Sequence, residues 1–179
     1  MMKTFALLAM VLIGTKAFAQ ADGGGGSQPI GSDAPYELGF HLGSLLPAQI
    51  DGVTEIMGLG GARMGYRFAP QSYLEGGVIT GNGEGVKWKN IHADVRMDIP
   101  VEGLVGLAYV GADSTYYQGM GRSSSKLIFG GHAGGGIQVH VSGSMWFRGD
   151  MKFNFSPGTS LYISAGFVFR LGSSGGGAG

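Results

Sequence analysis

The chain has 179 residues, with 12 Lys and Arg balanced by 12 Asp and Glu, 13% charged residues in all, 37 glycines and no cysteine. Zero net charge excludes the basic footprint of a nucleic-acid binder, and the lack of cysteine excludes both a disulfide-stapled domain and a lipoprotein. Beyond the N-terminal segment no apolar run reaches the length of a membrane helix, about 20 residues.

Residues 1–19 read as a secretory signal peptide. Lys3 stands near the start, an apolar run follows from Phe5 to Ile13, and Ala17-Phe18-Ala19 supplies the small-x-small end, so cleavage is expected before Gln20. A retained membrane anchor is the rival reading, but Gly14, Thr15 and Lys16 interrupt the run. Gln20 to Pro35, with its Gly23 to Gly26 run, has too little apolar surface to order itself and reads as a flexible leader, and Gly172 to Gly179 as a similar tail. The expected folded domain is Tyr36 to Leu171.

Within it the pattern has a period of two, which is the alternation of side chains across a β-strand. Tyr36 to Leu46 sets Tyr36, Leu38, Phe40 and Leu42 against Glu37, Gly39, His41 and Gly43. After a loop over Pro47 to Thr54, Ile56 to Phe68 sets Ala62, Met64, Tyr66 and Phe68 against Arg63, Gly65 and Arg67. Ala69 to Ser72 is a turn by its proline and polar residues. Tyr73 to Thr80 is a weaker third strand carrying Glu75, and Gly81 to Gly85 marks the next reversal. The fourth strand, Val86 to Ile99, holds the clearest signal in the chain. In Ile91 to Ile99, I-H-A-D-V-R-M-D-I, His92, Asp94, Arg96 and Asp98 all share one face and every apolar residue the other.

Pro100 to Gly103 turns the chain into Leu104 to Ala112, whose residues are so uniformly apolar or small that periodicity does not separate its faces. Ser114 to Ser125 reads as the longest polar connection. Leu127 to Val141 sets Ala133, Gly135, Ile137 and Val139 against His132, Gly134, Gln138 and His140, and Ser142-Gly143 is a tight turn. Met145 to Phe155 alternates Phe147, Met151 and Phe153 with Trp146, Arg148, Asp150 and Lys152. Past the Ser156 to Thr159 turn, Leu161 to Leu171 alternates Ile163, Phe167 and Phe169 with Tyr162, Val168 and Arg170.

Eight strands with short connections and no helical pattern predict an all-β fold, an eight-stranded antiparallel up-and-down barrel, since closure removes both sheet edges. Two barrels fit the alternation, and they are inside-out versions of each other. A soluble lipocalin-like carrier turns the apolar face inward; a transmembrane barrel turns it to lipid and fills its lumen with the polar face. Strands of about 10 residues match an apolar band of about 25 Å. Tyr36, Tyr66, Phe68, Tyr73, Phe167 and Phe169 are expected at one rim and Trp88 at the other, as interfacial girdles. The polar face is near charge balance and prefers arginine to lysine, which suits multiple carboxylate bonds in a confined space. These features favour the transmembrane reading, with a lumen network of Glu37, Arg63, Arg67, Glu75, His92, Asp94, Arg96, Asp98, His132, Arg148, Asp150, Lys152 and Arg170. An even strand count with the longest connection outside places both termini in the periplasm.

The signal peptide, the eight alternating strands, D-V-R-M-D-I-P-V at Asp94 to Val101, F-G-G-H-A-G-G-G-I-Q-V at Phe129 to Val139 and the closing G-F-V-F-R-L at Gly166 to Leu171 together resemble the small outer-membrane β-barrels of the OmpA/OmpX type. The resemblance spans Tyr36 to Leu171 and is one of pattern more than of invariant motif. It implies a Gram-negative outer-membrane location, contact with membrane lipid and lipopolysaccharide, and insertion by the outer-membrane assembly machinery, which reads a last strand ending in aromatics. Phe167, Phe169 and Leu171 correspond to that signal. Members commonly end at the aromatic, whereas this chain continues to Gly179, and with no peptidoglycan-binding domain legible after the barrel that anchoring role is not expected.

Sites of chemistry are scarce. Gly172 to Gly176 satisfies G-x-S-x-G in a segment that lacks the strand and helix a nucleophile elbow needs, and no dinucleotide or phosphate-loop motif occurs. His132 and His140 share a face about 26 Å apart and do not share a metal. No catalytic residue, cofactor or metal is expected. On the lipid-facing side Gly58, Gly60, Gly76 and Gly135 admit either close approach of a partner or simple easing of barrel curvature, the latter being favoured. The function classes left open are a monomeric structural or surface-interacting barrel, with Ser114 to Ser125 as a candidate contact for a surface partner, a narrow pore, and a lipid-modifying enzyme or ligand carrier.

Overall fold

In a computed structural model, residues 34–83, 85–119, 125–155 and 158–172 are described. The signal peptide, nearly all of the leader and the tail, and parts of three connections lie outside them. Eight strands run β1 (Tyr36–Pro47), β2 (Met57–Ala69), β3 (Ser72–Gly83), β4 (Val86–Val101), β5 (Leu104–Gln118), β6 (Lys126–Ser142), β7 (Met145–Asn154) and β8 (Ser160–Leu171). Each pairs antiparallel with its sequence neighbours, and β1 closes on β8 from Tyr36↔Leu171 to Pro47↔Ser160, so the sheet is a barrel without edges. The start of β1 and the end of β8 lie at one rim, called here the termini rim.

The connections differ between the two rims. At the termini rim the turns are tight: Pro70–Gln71, Glu102–Gly103 and Gly143–Ser144. Gln71, Gly103 and Gly143 adopt φ of 63°, 78° and 53°, the left-handed conformation that lets so few residues reverse a strand. At the far rim three of the four connections are longer, over 48–56, 119–125 and 155–159, while β3 and β4 are joined by two residues.

The barrel takes the inside-out arrangement that the alternation left open. Ile91 is 64% exposed while its neighbour on the other face, Asp94, is 3% exposed, and the same split runs around the wall: Leu42, Met64, Val95, Val110, Phe129 and Ile163 face out while Glu37, Arg63, Glu75, Arg148 and Arg170 are buried. A soluble carrier needs the reverse. The faces of β5 are now assigned: Leu107, Tyr109, Asp113, Thr115 and Tyr117 point inward.

Three expectations are corrected. Ser114 to Gln118 is not connection but the end of β5, because Ser114 pairs with Phe129 and Tyr117 with Lys126, and alternation continues through Asp113, Thr115 and Tyr117 even though the residues read as polar. Pro100 and Val101 continue β4, since the reversal needs only Glu102 and Gly103. Trp88 and Tyr73 are not girdle residues: both are buried in the lumen, as parity with Asn90 and Glu75 requires. Tyr36, Tyr66, Phe68 and Phe167 do lie exposed near the termini rim, with Tyr36 and Tyr66 rings 5.5 Å apart, and the exposed aromatics toward the far rim are Tyr116, Phe129, Phe153 and Phe155.

Candidate functional site

The inward faces stack into three tiers. Nearest the termini rim, four guanidinium groups meet four carboxylates. Arg96 of β4 donates to Glu37 Oε2 and Glu75 Oε2, each at 2.7 Å, and to Asp98 Oδ1 at 2.8 Å. Arg148 of β7 donates to the same Glu75 Oε2 at 2.6 Å, to Glu75 Oε1 at 3.1 Å and to Asp150 Oδ1 at 2.8 Å. Glu75 of β3 therefore bridges β4 and β7 across the lumen. Arg63 donates to Asp150 Oδ2 at 2.8 Å, and Arg170 to Glu37 Oε1 at 2.9 Å and Gln138 Oε1 at 2.9 Å. Arginine is the side chain for this task because one planar fork serves several carboxylates at once. Two rings close the tier: the Arg96 guanidinium lies 4.1 Å from the Tyr73 centroid and that of Arg170 4.1 Å from Trp146, both within cation–π range.

The middle tier is built on a histidine. His132 of β6 places Nε2 against Asp94 Oδ1 and Nδ1 against Asp113 Oδ2, the latter at 2.9 Å. Ionised carboxylates only accept, so the geometry fits a ring with a hydrogen on each nitrogen and leaves no lone pair to activate a hydroxyl. Asp113 also accepts from Thr115 Oγ1 at 3.4 Å, whose own oxygen accepts from Asn90 Nδ2 at 2.7 Å. Glu75, His92 and Asp94 bring ligand-type atoms within 4.8 Å of one another. Both oxygens of Glu75 already accept from arginine and Asp94 is engaged by His132, so the arrangement is that of an ion network.

Gly111 makes the Asp94–His132 contact sterically open, since a Cβ there would run into Asp94 Oδ1 and the Ala93 carbonyl and sit 2.9 Å from His132 Nε2. Outward-facing Gly58 has nothing within 4 Å of its own virtual Cβ. Gly111→Ala is therefore expected to lower the urea midpoint of the refolded barrel clearly, while Gly58→Ala leaves it unchanged or slightly raised. Equal midpoints would separate the glycine from the histidine tier.

The third tier is apolar. Leu45, Met57, Leu59, Ile79, Val86, Trp88, Tyr117 and Tyr162 form one buried cluster under the far rim, with Ile50 and Val53 completing it from above. Those two belong to the strap between β1 and β2, which folds over the mouth: Gly52, at φ 74°, turns it, and Val53 N–H donates to the Ile50 carbonyl at 3.1 Å. Ala48 and Gln49 N–H groups donate to the Thr159 carbonyl, and Asp51 pairs with Lys126 at 3.5 Å.

Of the sequence-predicted lumen residues, Glu37, Arg63, Glu75, Arg96, Asp98, Arg148, Asp150 and Arg170 meet in the first tier, and Asp94 and His132 in the second. His92 lies with its ring edge-on to His132, centroids 5.9 Å apart, and Lys152 is buried at the boundary of the second and third tiers. Arg67 sits half-buried at the termini rim, outside the four-arginine cluster. Sequence reasoning missed Asp113, Thr115, Tyr73 and the apolar third tier. Parity continued past Ala112 reaches Asp113 and Thr115, and parity also places Tyr73 inward.

No family model and no curated protein matches the chain. Solved structures do. Neisserial surface protein A superposes with a TM-score of 0.63 at 12% identity, covering 77% of this chain and 98% of that one. The fold is that of the small outer-membrane β-barrels. The N-terminal β-barrel domain of Pseudomonas aeruginosa OprF gives 0.61 at 11% identity over 76% of this chain and 97% of that one, and P. aeruginosa OprG gives 0.56 at 10% over 81% and 100%. At these identities the likeness is one of barrel architecture.

Proposed function

We propose that the protein is an integral outer-membrane barrel of structural or surface-interacting role whose lumen is closed by its own side chains. The observation that carries this reading is the three-tier filling: an ion cluster, a carboxylate–histidine–carboxylate layer and an apolar cap under the β1–β2 strap, with two small cavities of about 20 and 10 Å³ between them among the described residues. Eight strands enclose an interior just wide enough for side chains to fill. The apolar outer wall is the surface for membrane lipid and lipopolysaccharide. The deciding experiment has two parts. The mature protein is expected to fractionate with the outer membrane and to shift in gel mobility on boiling, and in planar bilayers it is expected to show no steady conductance. A stable conductance of small-ion size would replace the closed barrel with a pore.

Two-residue turns throughout the termini rim, against connections of nine, seven and five residues among the four at the far rim, support an orientation with both termini periplasmic. A surface partner then meets the far rim, through the strap and the connection after β5. Thr54, exposed on the strap, offers the test: Thr54→Cys is expected to react with an impermeant reagent on intact cells. Protection there would reverse the orientation.

The assembly machinery is proposed to read β8 through Phe167, Phe169 and Leu171. Phe169→Ala is expected to reduce the yield of inserted barrel several-fold more than Phe153→Ala, which removes an equally large lipid-facing ring from β7. Equal yields would remove the special status of β8.

A further inference from the structure

Two small cavities meet at Lys152. The larger, about 20 Å³, has Lys152, His41 and His92 in its wall together with charged groups of the ion network, among them Glu75, Asp94 and Asp150; the smaller, about 10 Å³, has Asn90, Asn154, Tyr162 and Lys152 as its polar lining beneath the apolar tier. Each is near the size that admits one water molecule. Lys152 is 5% exposed, and its ammonium has no hydrogen-bond partner among the described residues, unlike the four first-tier arginines, each bonded to a carboxylate.

The atoms around it are complementary in kind. Asn90 Nδ2 donates to Thr115 Oγ1 and Asn154 Nδ2 to Ser160 Oγ, so each asparagine keeps an unpartnered carbonyl oxygen beside the smaller cavity. On the other side Arg63 Nε donates to His41 Nδ1 at 3.2 Å. A neutral His41 then carries its hydrogen on Nε2, and that N–H is also without an acceptor. The smaller cavity thus offers the Lys152 ammonium and the Tyr162 hydroxyl as donors and two asparagine oxygens as acceptors, and the larger offers Lys152 and His41 as donors with carboxylates in its wall.

We propose that Lys152 is the centre of a built hydration site. A water in the smaller cavity accepts from Lys152 Nζ and gives its two hydrogens to Asn90 Oδ1 and Asn154 Oδ1. A second, in the larger cavity, accepts from Lys152 Nζ and His41 Nε2. Water fits because it both accepts and donates at one-atom size; a halide only accepts and leaves both asparagine oxygens unserved, and a metal cation is repelled by the ammonium. The site lets a buried charge stand at the border between the ion network and the apolar cap, where an unsolvated ammonium is strongly unfavourable. This hydration site rests on the closed lumen of the proposed function, and bilayer conductance tests that closure separately from the water count.

Water-oxygen magnetic relaxation dispersion counts waters held for long times inside a folded protein. Applied to the refolded barrel in detergent, with boiling-dependent gel mobility confirming the fold, it is expected to lose about two long-lived waters in Lys152→Met and about one in Asn154→Leu, one per cavity. Crystals soaked in bromide are expected to show no anomalous peak beside Lys152. The same water count in wild type and variants, or a bromide at that position, would overturn the proposal, the latter in favour of a small-anion site. If Lys152→Met fails to fold, the Asn154 variant and the bromide crystal decide alone.

Discussion

Arg96→Ala is expected to destabilise the barrel by about 3–5 kcal/mol, the cost of removing one partner from a buried ion pair and leaving the other charged. Arg96 is the hub of the first tier. Its loss strands Glu37, Glu75 and Asp98 together, three buried carboxylates with fewer donors, and it uncovers the Tyr73 ring. Arg148 and Arg170 still serve Glu75 and Glu37, which keeps the loss from being larger. Equilibrium urea unfolding in detergent or vesicles measures it. A second variant separates charge from packing: adding Glu37→Gln to Arg96→Ala is expected to recover part of the loss, because the strandedness is relieved even though no contact is restored, and the coupling energy of the pair is read from the double-mutant cycle. A loss under about 1 kcal/mol in Arg96→Ala would mean that water reaches the cluster and screens it, as it does for exposed ion pairs.

Trp88→Ala is expected to cost a similar amount, about 3–5 kcal/mol, for a different reason. Trp88 is 2% exposed, packs against Tyr117 with centroids 5.8 Å apart, and forms the floor on which Ile50 and Val53 of the strap rest. Truncation removes transfer energy and leaves a void under the strap. The strap, otherwise held by backbone bonds to Thr159 and the exposed Asp51–Lys126 pair, is expected to open, seen as protease cleavage between Ala48 and Ile56 that the wild type resists. Phe129→Ala is the control. Phe129 is 76% exposed on the outer wall, so its truncation changes contact with lipid and leaves the strap closed. If Trp88→Ala behaves like Phe129→Ala, the third tier does not hold the strap.

Arg96 and Trp88 also differ in how far the sequence alone reveals their place. Asp94, Arg96 and Asp98 were placed inward because strand alternation is a local property of the backbone, set by each residue's own geometry and visible without knowing any neighbour. Trp88 lies on that same parity, although its aromatic character by itself suggests a membrane interface. The eight-strand count, the polar face and the turns at Gly103 and Gly143 are likewise local and were legible. Closure into a barrel followed from the absence of any helix to cover an edge.

What only the tertiary structure decided is which inward side chains meet, and the reason is the stagger of the closed sheet. A residue's parity says that it faces the lumen but not its height there, which depends on the register of every pair around the ring, including Tyr36↔Leu171 at the seam. That register brings Glu75 between Arg96 and Arg148, sets Asp113 opposite Asp94 on either side of His132, and so divides one polar face into two separate clusters. The faces of β5 were undecided for the same reason: its apolar and small residues carry no local preference, and only pairing with β4 and β6 turned Asp113 inward. The apolar cap was out of reach altogether, because Ile50 and Val53 join it through a strap whose path is set by contacts with Thr159, Trp88 and Tyr117, residues far away in the chain and adjacent only once the barrel has closed.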